Sequence, residues 1–76
     1  MRAIYEVAQD IQKEWGPKVY FAAKPYLGAM RHLEDKDSMF GVDTATDIVH
    51  RFLANAQTFR GPRAKELKAE LKELIK

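Results

Sequence analysis

Apolar residues recur at helical spacing in four stretches of the chain, and this pattern predicts four helices. The first stretch, residues 3–15, places its apolar residues at positions i, i+3, i+4, i+7 and i+11: Ile4, Val7, Ala8, Ile11 and Trp15. Such a stripe is typical of an amphipathic helix that buries one face. We expect Gly16 and Pro17 to end this helix, because glycine tolerates a left-handed exit and proline cannot continue the hydrogen-bond ladder.

Residues 19–33 carry a second helical pattern, which contains a proline. Inside a helix, Pro25 would remove one hydrogen bond and clash with the preceding turn, at about 3 kcal/mol, whereas in the first turn it would cost little. We therefore predict that this helix starts near residues 22–24 and that residues 18–21 are irregular. A longer helix kinked at Pro25 is the alternative. Residues 34–43 follow as the longest connection, in which Gly41 suggests a turn.

Residues 44–59 carry the strongest pattern, and we predict that they form the central helix. We expect Asp43 or Thr44 to cap it, and Thr44 and Asp47 have the spacing of a capping box, with Asp in place of Glu or Gln. The apolar stripe behind them comprises Ala45, Ile48, Val49, Phe52, Ala56 and Phe59. We expect Gly61 to end this helix.

The fourth pattern, residues 62–75, begins at Pro62, a residue favoured at the first helical position. Its apolar seam comprises Ala64, Leu67, Leu71 and Leu74. We expect this helix to pack back antiparallel on the helix before it. Together the four patterns predict a single all-α domain over residues 1–76, a small bundle of three to four helices.

Composition narrows the class of protein. A chain of 76 residues buries only about 60% of its unfolded surface, so its core is thin and a partner or a second copy would help it. The absence of cysteine excludes disulfides and thiolate metal sites and fits a cytoplasmic setting. We find no apolar run of signal-peptide or membrane-spanning length. Whether the chain is a monomer or a homodimer, with Lys68 and Glu70 beside the leucine seam, is left open.

Candidate catalytic and metal sites are weak. His32 and His50 stand 18 positions apart, and a structural zinc site needs four ligands. Ser38 has no partner residues arranged around it in sequence, and the acidic stretch from Asp35 fails the calcium-loop pattern where Met39 takes the fifth position. We therefore predict no enzyme activity, no metal and no cofactor.

Two sets of residues remain as candidate binding surfaces. Four apolar residues fall outside clean stripes and suggest an exposed patch for a protein partner: Tyr20, Phe21, Met39 and Phe40. The second set suggests an anion or nucleic-acid site at the start of the last helix: Arg60, Arg63, Lys65, Lys68 and Lys72.

Charge favours the first set over the second. Residues 46–76 carry seven Lys or Arg against four Asp or Glu, a mild excess, and the whole chain has a net charge of only +2. Cations oppose the dipole at a helix N-terminus, and three glutamates along the last helix would repel a nucleic-acid backbone. A solvated basic face is the commoner explanation of such a pattern, so we expect duplex DNA to bind weakly at physiological salt.

Three runs give the chain a family resemblance. They are Tyr20-x-Ala22-Ala23-x-Pro25-Tyr26-Leu27-x-Ala29-Met30, then Gly41-x-Asp43 with Ile48-Val49-x-x-Phe52-Leu53-x-Asn55-Ala56, and finally Phe59-Arg60-Gly61 with Lys68-Ala69-Glu70-Leu71. Together they resemble short proteins encoded by bacteriophages and prophages of Gram-positive bacteria. The resemblance implies a setting in a host cell's cytoplasm and assigns no catalytic residue. We therefore expect a non-enzymatic module that docks on a host or phage protein, with inhibition of a host defence nuclease as one version.

Overall fold

The computed structural model describes residues 2–76, and the chain is mostly helical. The helices are α1 (Ile4–Trp15), α2 (Lys24–Met30), α3 (Ala45–Ala54) and α4 (Pro62–Leu74). A three-residue 3-10 turn, Gly16–Lys18, follows α1. One small antiparallel sheet, β1 (Met39–Phe40) and β2 (Asp43–Thr44), lies between α2 and α3. The four helices confirm the prediction of a helical fold, whereas the sheet is not predicted from the sequence.

The first two helices begin where the sequence predicts. α1 ends at Trp15, and Gly16 follows with a φ of 56°, a left-handed value that favours glycine. α2 begins at Lys24 with Pro25 in its first turn, so the alternative of a longer kinked helix is wrong. α2 ends at Met30, three residues before the predicted end. The N–H groups of Arg31, His32 and Leu33 each bond to a carbonyl three residues back, which tightens the chain into a turn.

The predicted helix over residues 44–59 is too long, because α3 ends at Ala54. Beyond this point the N–H groups of Asn55 and Ala56 reach back only three residues, and the Asn55 side chain donates to the Arg51 carbonyl oxygen at 2.8 Å. An asparagine that bonds the backbone in this way competes with the helix and favours its end. Ala56 and Phe59 are nevertheless buried, so the turn over residues 55–61 continues the apolar stripe without helical geometry.

The start of α3 confirms Thr44 as the cap, whereas the reciprocal bond from the Thr44 N–H to the Asp47 side chain, which completes a capping box, is not formed among residues 2–76. The Thr44 hydroxyl accepts a hydrogen bond from the Asp47 N–H at 3.2 Å, which satisfies one of the free donors of the first turn. Just before this cap, β1 and β2 form a hairpin in which Met39 faces Thr44 and Phe40 faces Asp43. Gly41 and Val42 make its two-residue turn, and Gly41 has a φ of 65°, so the predicted turn at Gly41 is confirmed.

The helices enclose one apolar core, and no polar or charged residue of the part of the chain from Arg2 onward is buried in it. Its largest fully buried side chains include Phe52, Ile4, Ile11, Leu67 and Leu71. α4 packs chiefly on α1, and α3 packs chiefly on α2. The expectation that α4 packs mainly on α3 is therefore wrong, and α1 shares the centre of the fold with α3. The seam of α4 faces α1 because α1 offers it a complete apolar stripe.

Main-chain hydrogen bonds attach the start of α1 to the segment after α2. The N–H groups of Ile4 and Tyr5 donate to the carbonyl oxygens of Glu34 and Leu33, at 2.8 and 2.9 Å. The first N–H groups of a helix have no partner within the helix, so these two carbonyls take the place of a capping side chain. The Ala3 N–H is bound in addition by the Glu6 carboxylate at 2.9 Å.

Two glycines offer a matched test of the backbone. Gly61, which precedes α4, has a φ of 112°, a region that L-residues rarely adopt, whereas Gly28 lies inside α2 with open space around its Cα. We expect Gly61→Ala to destabilise the protein by about 1 to 3 kcal/mol. We expect Gly28→Ala to stabilise it by about 0.5 to 1 kcal/mol, because the unfolded chain then has less freedom to lose. Urea unfolding measures both changes, and a loss at Gly28 as large as that at Gly61 would contradict the backbone assignment.

Candidate functional site

The four predicted partner-binding residues are exposed but form two separate surfaces. Tyr20 and Phe21 precede α2 and lie near the C-terminal end of α3, since Tyr20 shares a surface recess with Ala54, Asn55, Gln57 and Thr58. Met39 and Phe40 lie in the hairpin that leads into the N-terminal end of α3. The ten residues of α3 separate the two pairs by about 15 Å of helix. The fold therefore does not bring all four residues into a single partner-binding pocket.

The hairpin surface comprises Met39, Phe40 and Val42. Val42 stands at the turn and is 92% exposed, while Met39 and Phe40 are 57% and 44% exposed. Successive side chains of a strand point to opposite faces, so Met39 and Phe40 present apolar groups on both sides of the hairpin. The ring of Phe40 lies against His32, with 5.5 Å between the ring centroids.

Ser38 fixes the base of this hairpin. Its hydroxyl accepts hydrogen bonds from the N–H groups of Glu34 and Asp35 at 3.1 and 3.2 Å, and its carbonyl oxygen accepts one from the Ala45 N–H at 3.0 Å. The Asp35 carboxylate accepts one from the Asp37 N–H. Ser38 thus has a structural role, and the hairpin is attached to α3 at a fixed angle.

Acidic residues surround the hairpin surface. Residues 34–47 contain five carboxylates, Glu34, Asp35, Asp37, Asp43 and Asp47, against a single lysine, Lys36. Arg51 approaches Asp43 at 3.6 Å and neutralises part of this charge. The hairpin end of the molecule therefore combines exposed apolar groups with a negative field.

The Tyr20–Phe21 pair lies at the opposite end of α3. The two rings meet at an interplanar angle of 65° with 4.9 Å between their centroids, and Phe21 is 72% exposed. The turn over residues 55–61 lies beside this pair. Lys18 and Arg60 lie around the same turn, because both line a recess with Thr58 and Phe59. Residues 16–24 contain two lysines and no carboxylate. Lys18, Arg60 and Arg63 line the recess with a single carboxylate, Glu14, so cations are in excess at this end of the molecule.

The five predicted anion-binding residues also separate. Arg63 reaches α1, where its guanidinium donates to Asp10 at 3.1 Å, and it also donates to Glu66 of its own helix at 3.2 Å. Arg60 instead donates to the Gln57 carbonyl oxygen at 3.1 Å. The other three form what we call the lysine row of α4: Lys65, Lys68 and Lys72. Arg63 thus belongs to an ion-pair network, while Arg60 and the lysine row are without a carboxylate within 4 Å among residues 2–76.

Lys68 is the partly buried member of the lysine row. Its partial burial lowers the pKa of its ammonium group, and the charges of Arg60 and Lys72 lower that pKa further. The Lys68 Nζ atom lies 5.8 Å from the centre of the Phe59 ring, which in turn stacks on Trp15 at 4.9 Å. A cation over a ring face is favourable, so Phe59 helps to hold Lys68 in place beside Arg60.

The acidic side of α4 is neutralised by arginines. Arg2 donates to both oxygens of Glu70, at 2.7 and 2.8 Å, and also to Asp10. Its hydrogen bonds lower the pKa of both carboxylates, and its charge adds to this effect. The pairs Arg2–Glu70 and Asp10–Arg63 connect opposite ends of α1 and α4, so the two helices run antiparallel.

This network predicts a loss of stability in acid. Since the folded pKa values of Asp10 and Glu70 lie below their ordinary values of 3.8 and 4.5, the stabilisation is present above those values and disappears as the pH falls through the lowered ones. We expect Glu70→Gln to cost about 1 kcal/mol at about pH 7 and much less at about pH 3. Urea unfolding at both pH values measures this, with Glu73→Gln as the control, since Glu73 pairs with exposed Lys76. Equal losses at both pH values would contradict a role for the Glu70 charge.

The remaining sequence candidates find no site. His50 is exposed on α3, and Asp47, three residues before it, donates its backbone N–H to the Thr44 hydroxyl at the cap. Within residues 2–76, no group of three or more His, Cys, Asp or Glu side chains is arranged to hold a metal ion.

The leucine seam of α4 is not available to a second copy. Leu67 and Leu71 are fully buried in the core of the single chain. The homodimer stays a prediction, to be tested by sedimentation at micromolar concentration, and it would need a different contact surface.

The site residues that the sequence did not suggest are Val42, Lys18 and Arg2. Val42 and Lys18 gain their positions from the hairpin turn and from the 3-10 turn after α1, which bring distant residues beside them. Arg2 carries no pattern of its own. A weak signal did exist for Arg63, since Glu66 follows it at i+3, a spacing at which opposite charges meet on a helix.

The fold and surfaces define a mostly helical domain that presents an acidic apolar hairpin at one end and an aromatic basic surface at the other. None of the helices between residues 2 and 76 has the length and apolar character to cross a bilayer. In comparisons with known proteins, no family model, no curated protein and no solved structure matches the chain. The likeness to phage proteins therefore stays a prediction.

Proposed function

We propose that the chain is a non-enzymatic docking module, of the kind encoded by bacteriophages, and that its hairpin surface binds a host or phage protein. We also infer that its four helices form a bundle that serves as a rigid mount for this surface. The observation that carries the proposal is the exposure of Val42, at 92%, on a hairpin that is apolar on both faces. Exposed apolar groups cost solubility, and on a small protein a clustered set of them marks an interaction site.

The rigidity of the hairpin supports this function. Ser38 closes its base, Thr44 joins it to α3, and Phe40 rests on His32. A surface that is already ordered loses little conformational entropy when it binds, so more of the contact energy appears as affinity. Val42 is suited to enter a recess on the partner, since it stands at the tip.

The charge around the hairpin selects the chemistry of the partner. Five carboxylates against one lysine within residues 34–47 fit a basic protein surface that surrounds an apolar recess. Enzymes that act on nucleic acids present basic surfaces of this kind to their substrates. Inhibition of a host defence nuclease is one form that the proposed function takes.

Affinity capture followed by reconstitution tests the proposal. The chain is immobilised, host or infected-cell lysate is passed over it after nuclease treatment, and each retained protein is purified and titrated. We expect a partner with a basic surface whose affinity falls at least tenfold with Val42→Asp and falls further with added salt. Asp37→Asn should weaken binding less, because it removes one exposed charge.

Phe21→Ala is the matched control, since Phe21 is exposed but lies at the other end of α3. It should leave the affinity for this partner unchanged. A purified partner whose binding is insensitive to Val42→Asp and lost with Phe21→Ala would overturn the assignment of the hairpin as the docking surface. Retained proteins that do not bind after purification would likewise count against it.

A further inference from the structure

We propose that the basic end of the molecule binds single-stranded nucleic acid, with Tyr20 and Phe21 stacking on bases and with Lys18, Arg60 and the lysine row on the phosphates. Tyr20 lies at the opposite end of α3 from the hairpin surface, and Lys18 and Arg60 lie near it. The lysine row runs from there along α4, and the inference does not depend on the proposed protein docking.

Several cations of this surface have no carboxylate partner. The ion pairs between residues 2 and 76 use Arg2, Arg51, Arg63 and Lys76 as their cations. Lys18, Arg60 and the lysine row are left without a carboxylate within 4 Å. A phosphate chain would relieve the repulsion between Arg60, Lys68 and Lys72 and would release its own counterions.

The spacing of the lysine row matches the phosphates of a nucleic-acid strand. Lys65, Lys68 and Lys72 stand at i, i+3 and i+7, so they share one side of α4 and span about 10 Å along its axis. Phosphates of one stacked strand recur about every 3.4 Å, so the row matches roughly three of them. Arg60 extends the row at its N-terminal end, because it directly follows Phe59, whose ring centre lies 5.8 Å from the Lys68 Nζ atom.

Each glutamate of α4 is paired with a cation. Glu70 is paired with Arg2 beside α1, the exposed Glu66 is paired with Arg63 of its own helix, and Glu73 is paired with Lys76. Each of the three charges is therefore partly neutralised. The repulsion expected from the sequence acts much less on a strand that follows the lysine row.

The exposed aromatic rings favour a single strand over a duplex. Phe21 exposes 72% of its surface, and Tyr20 lies beside the turn over residues 55–61, around which Lys18 and Arg60 also lie. Aromatic rings beside a positively charged track are typical of surfaces that bind single strands, since each unpaired base offers a face for stacking. The bases of a duplex are already stacked on one another and cannot use these rings.

Fluorescence anisotropy with a labelled twelve-nucleotide oligothymidine tests the proposal. We expect saturable binding at low salt, with an affinity that falls on a log–log plot with a slope of about −2 to −3, at about −0.7 per phosphate contact. A duplex of the same length should bind more weakly. Phe21→Ala should weaken binding roughly tenfold, and Arg60→Ala with Lys65→Ala should flatten the slope by about 1.4. All three residues are exposed, so circular dichroism and the melting temperature should barely change.

Lys36→Ala is the control for charge and Val42→Asp the control for the other surface, and both should leave oligothymidine binding nearly unchanged. An absence of saturable binding at about 50 mM salt would overturn the proposal. Oligothymidine binding that Phe21→Ala does not affect would also overturn it. So would displacement of bound oligothymidine by polyglutamate as effectively as by unlabelled oligothymidine, which would assign the surface to acidic proteins instead. Because Val42→Asp tests protein docking separately, either proposal can fail while the other stands.

Discussion

Replacing Phe52 with alanine should lower the free energy of unfolding by about 3 to 5 kcal/mol. Phe52 is fully buried, and its ring meets that of Trp15 edge-on with 6.1 Å between the centroids. Its removal loses the transfer energy of a large side chain and leaves a cavity between α3 and α1 that the surrounding helices can only partly fill. A domain of this size is stabilised by only about 5 to 10 kcal/mol, so much of its population should unfold.

Urea unfolding followed by circular dichroism measures this loss. Phe40→Ala is the matched control, because it removes the same ring from an exposed position and should cost no more than about 1 kcal/mol. A Phe52→Ala protein that melts like the parent would show that α3 does not pack on the core through this face.

Replacing Phe59 with alanine should be the next most damaging change, at about 3 kcal/mol. Phe59 is 4% exposed and stacks on Trp15, yet it comes from the turn over residues 55–61 and not from a helix. Without the ring, this turn loses its attachment to α1, and Lys68 loses the surface on which it rests. The chain has a single tryptophan, so the emission of Trp15 should change in the folded state and report the lost contact directly.

Phe59→Leu separates stacking from burial. Leucine fills much of the same volume, so it should restore most of the stability while leaving the Trp15 emission altered. If Phe59→Ala unfolds at the same urea concentration as the parent, the turn is not anchored in the way described, and the position of Arg60 beside Lys68 loses its explanation.

The bounds of a helix could be predicted from the sequence wherever glycine or proline stands at the end of an apolar stripe. α1, with Gly16 and Pro17 behind it, and α4, with Pro62 at its start, begin and end within one or two residues of the prediction. The C-terminal ends of α2 and α3 were not predicted, because local hydrogen bonds that leave no apolar pattern set them: the turn after Met30 and the bond from the Asn55 side chain to the Arg51 carbonyl oxygen. Ala56 and Phe59 continue the helical spacing in sequence, so only the folded chain shows that a turn delivers them to the core.

The sequence predicts which residues form the candidate surfaces, but it does not predict how those residues are arranged in space. Tyr20, Phe21, Met39 and Phe40 are exposed because each lies outside a stripe, which the sequence does show. Their separation depends on the antiparallel relation of α2 and α3, which brings one pair beside each end of α3. Arg63 belongs to the ion-pair network and Arg60 does not. This difference also depends on α1, since Asp10 and Arg2 reach α4 only in the folded protein.

The junction between α1 and the segment after α2 is made of peptide groups alone. Ile4 and Tyr5 donate their N–H groups to the carbonyl oxygens of Glu34 and Leu33, and no side-chain atom takes part. Any residue except proline at position 5 can form its bond, whereas position 4 must stay apolar because Ile4 is fully buried. Mutation of the exposed Tyr5 and Glu34 side chains therefore leaves the junction intact. The surface beside the hairpin can therefore diversify over evolution, for example to follow a changing partner, while the frame that holds it is inherited unchanged.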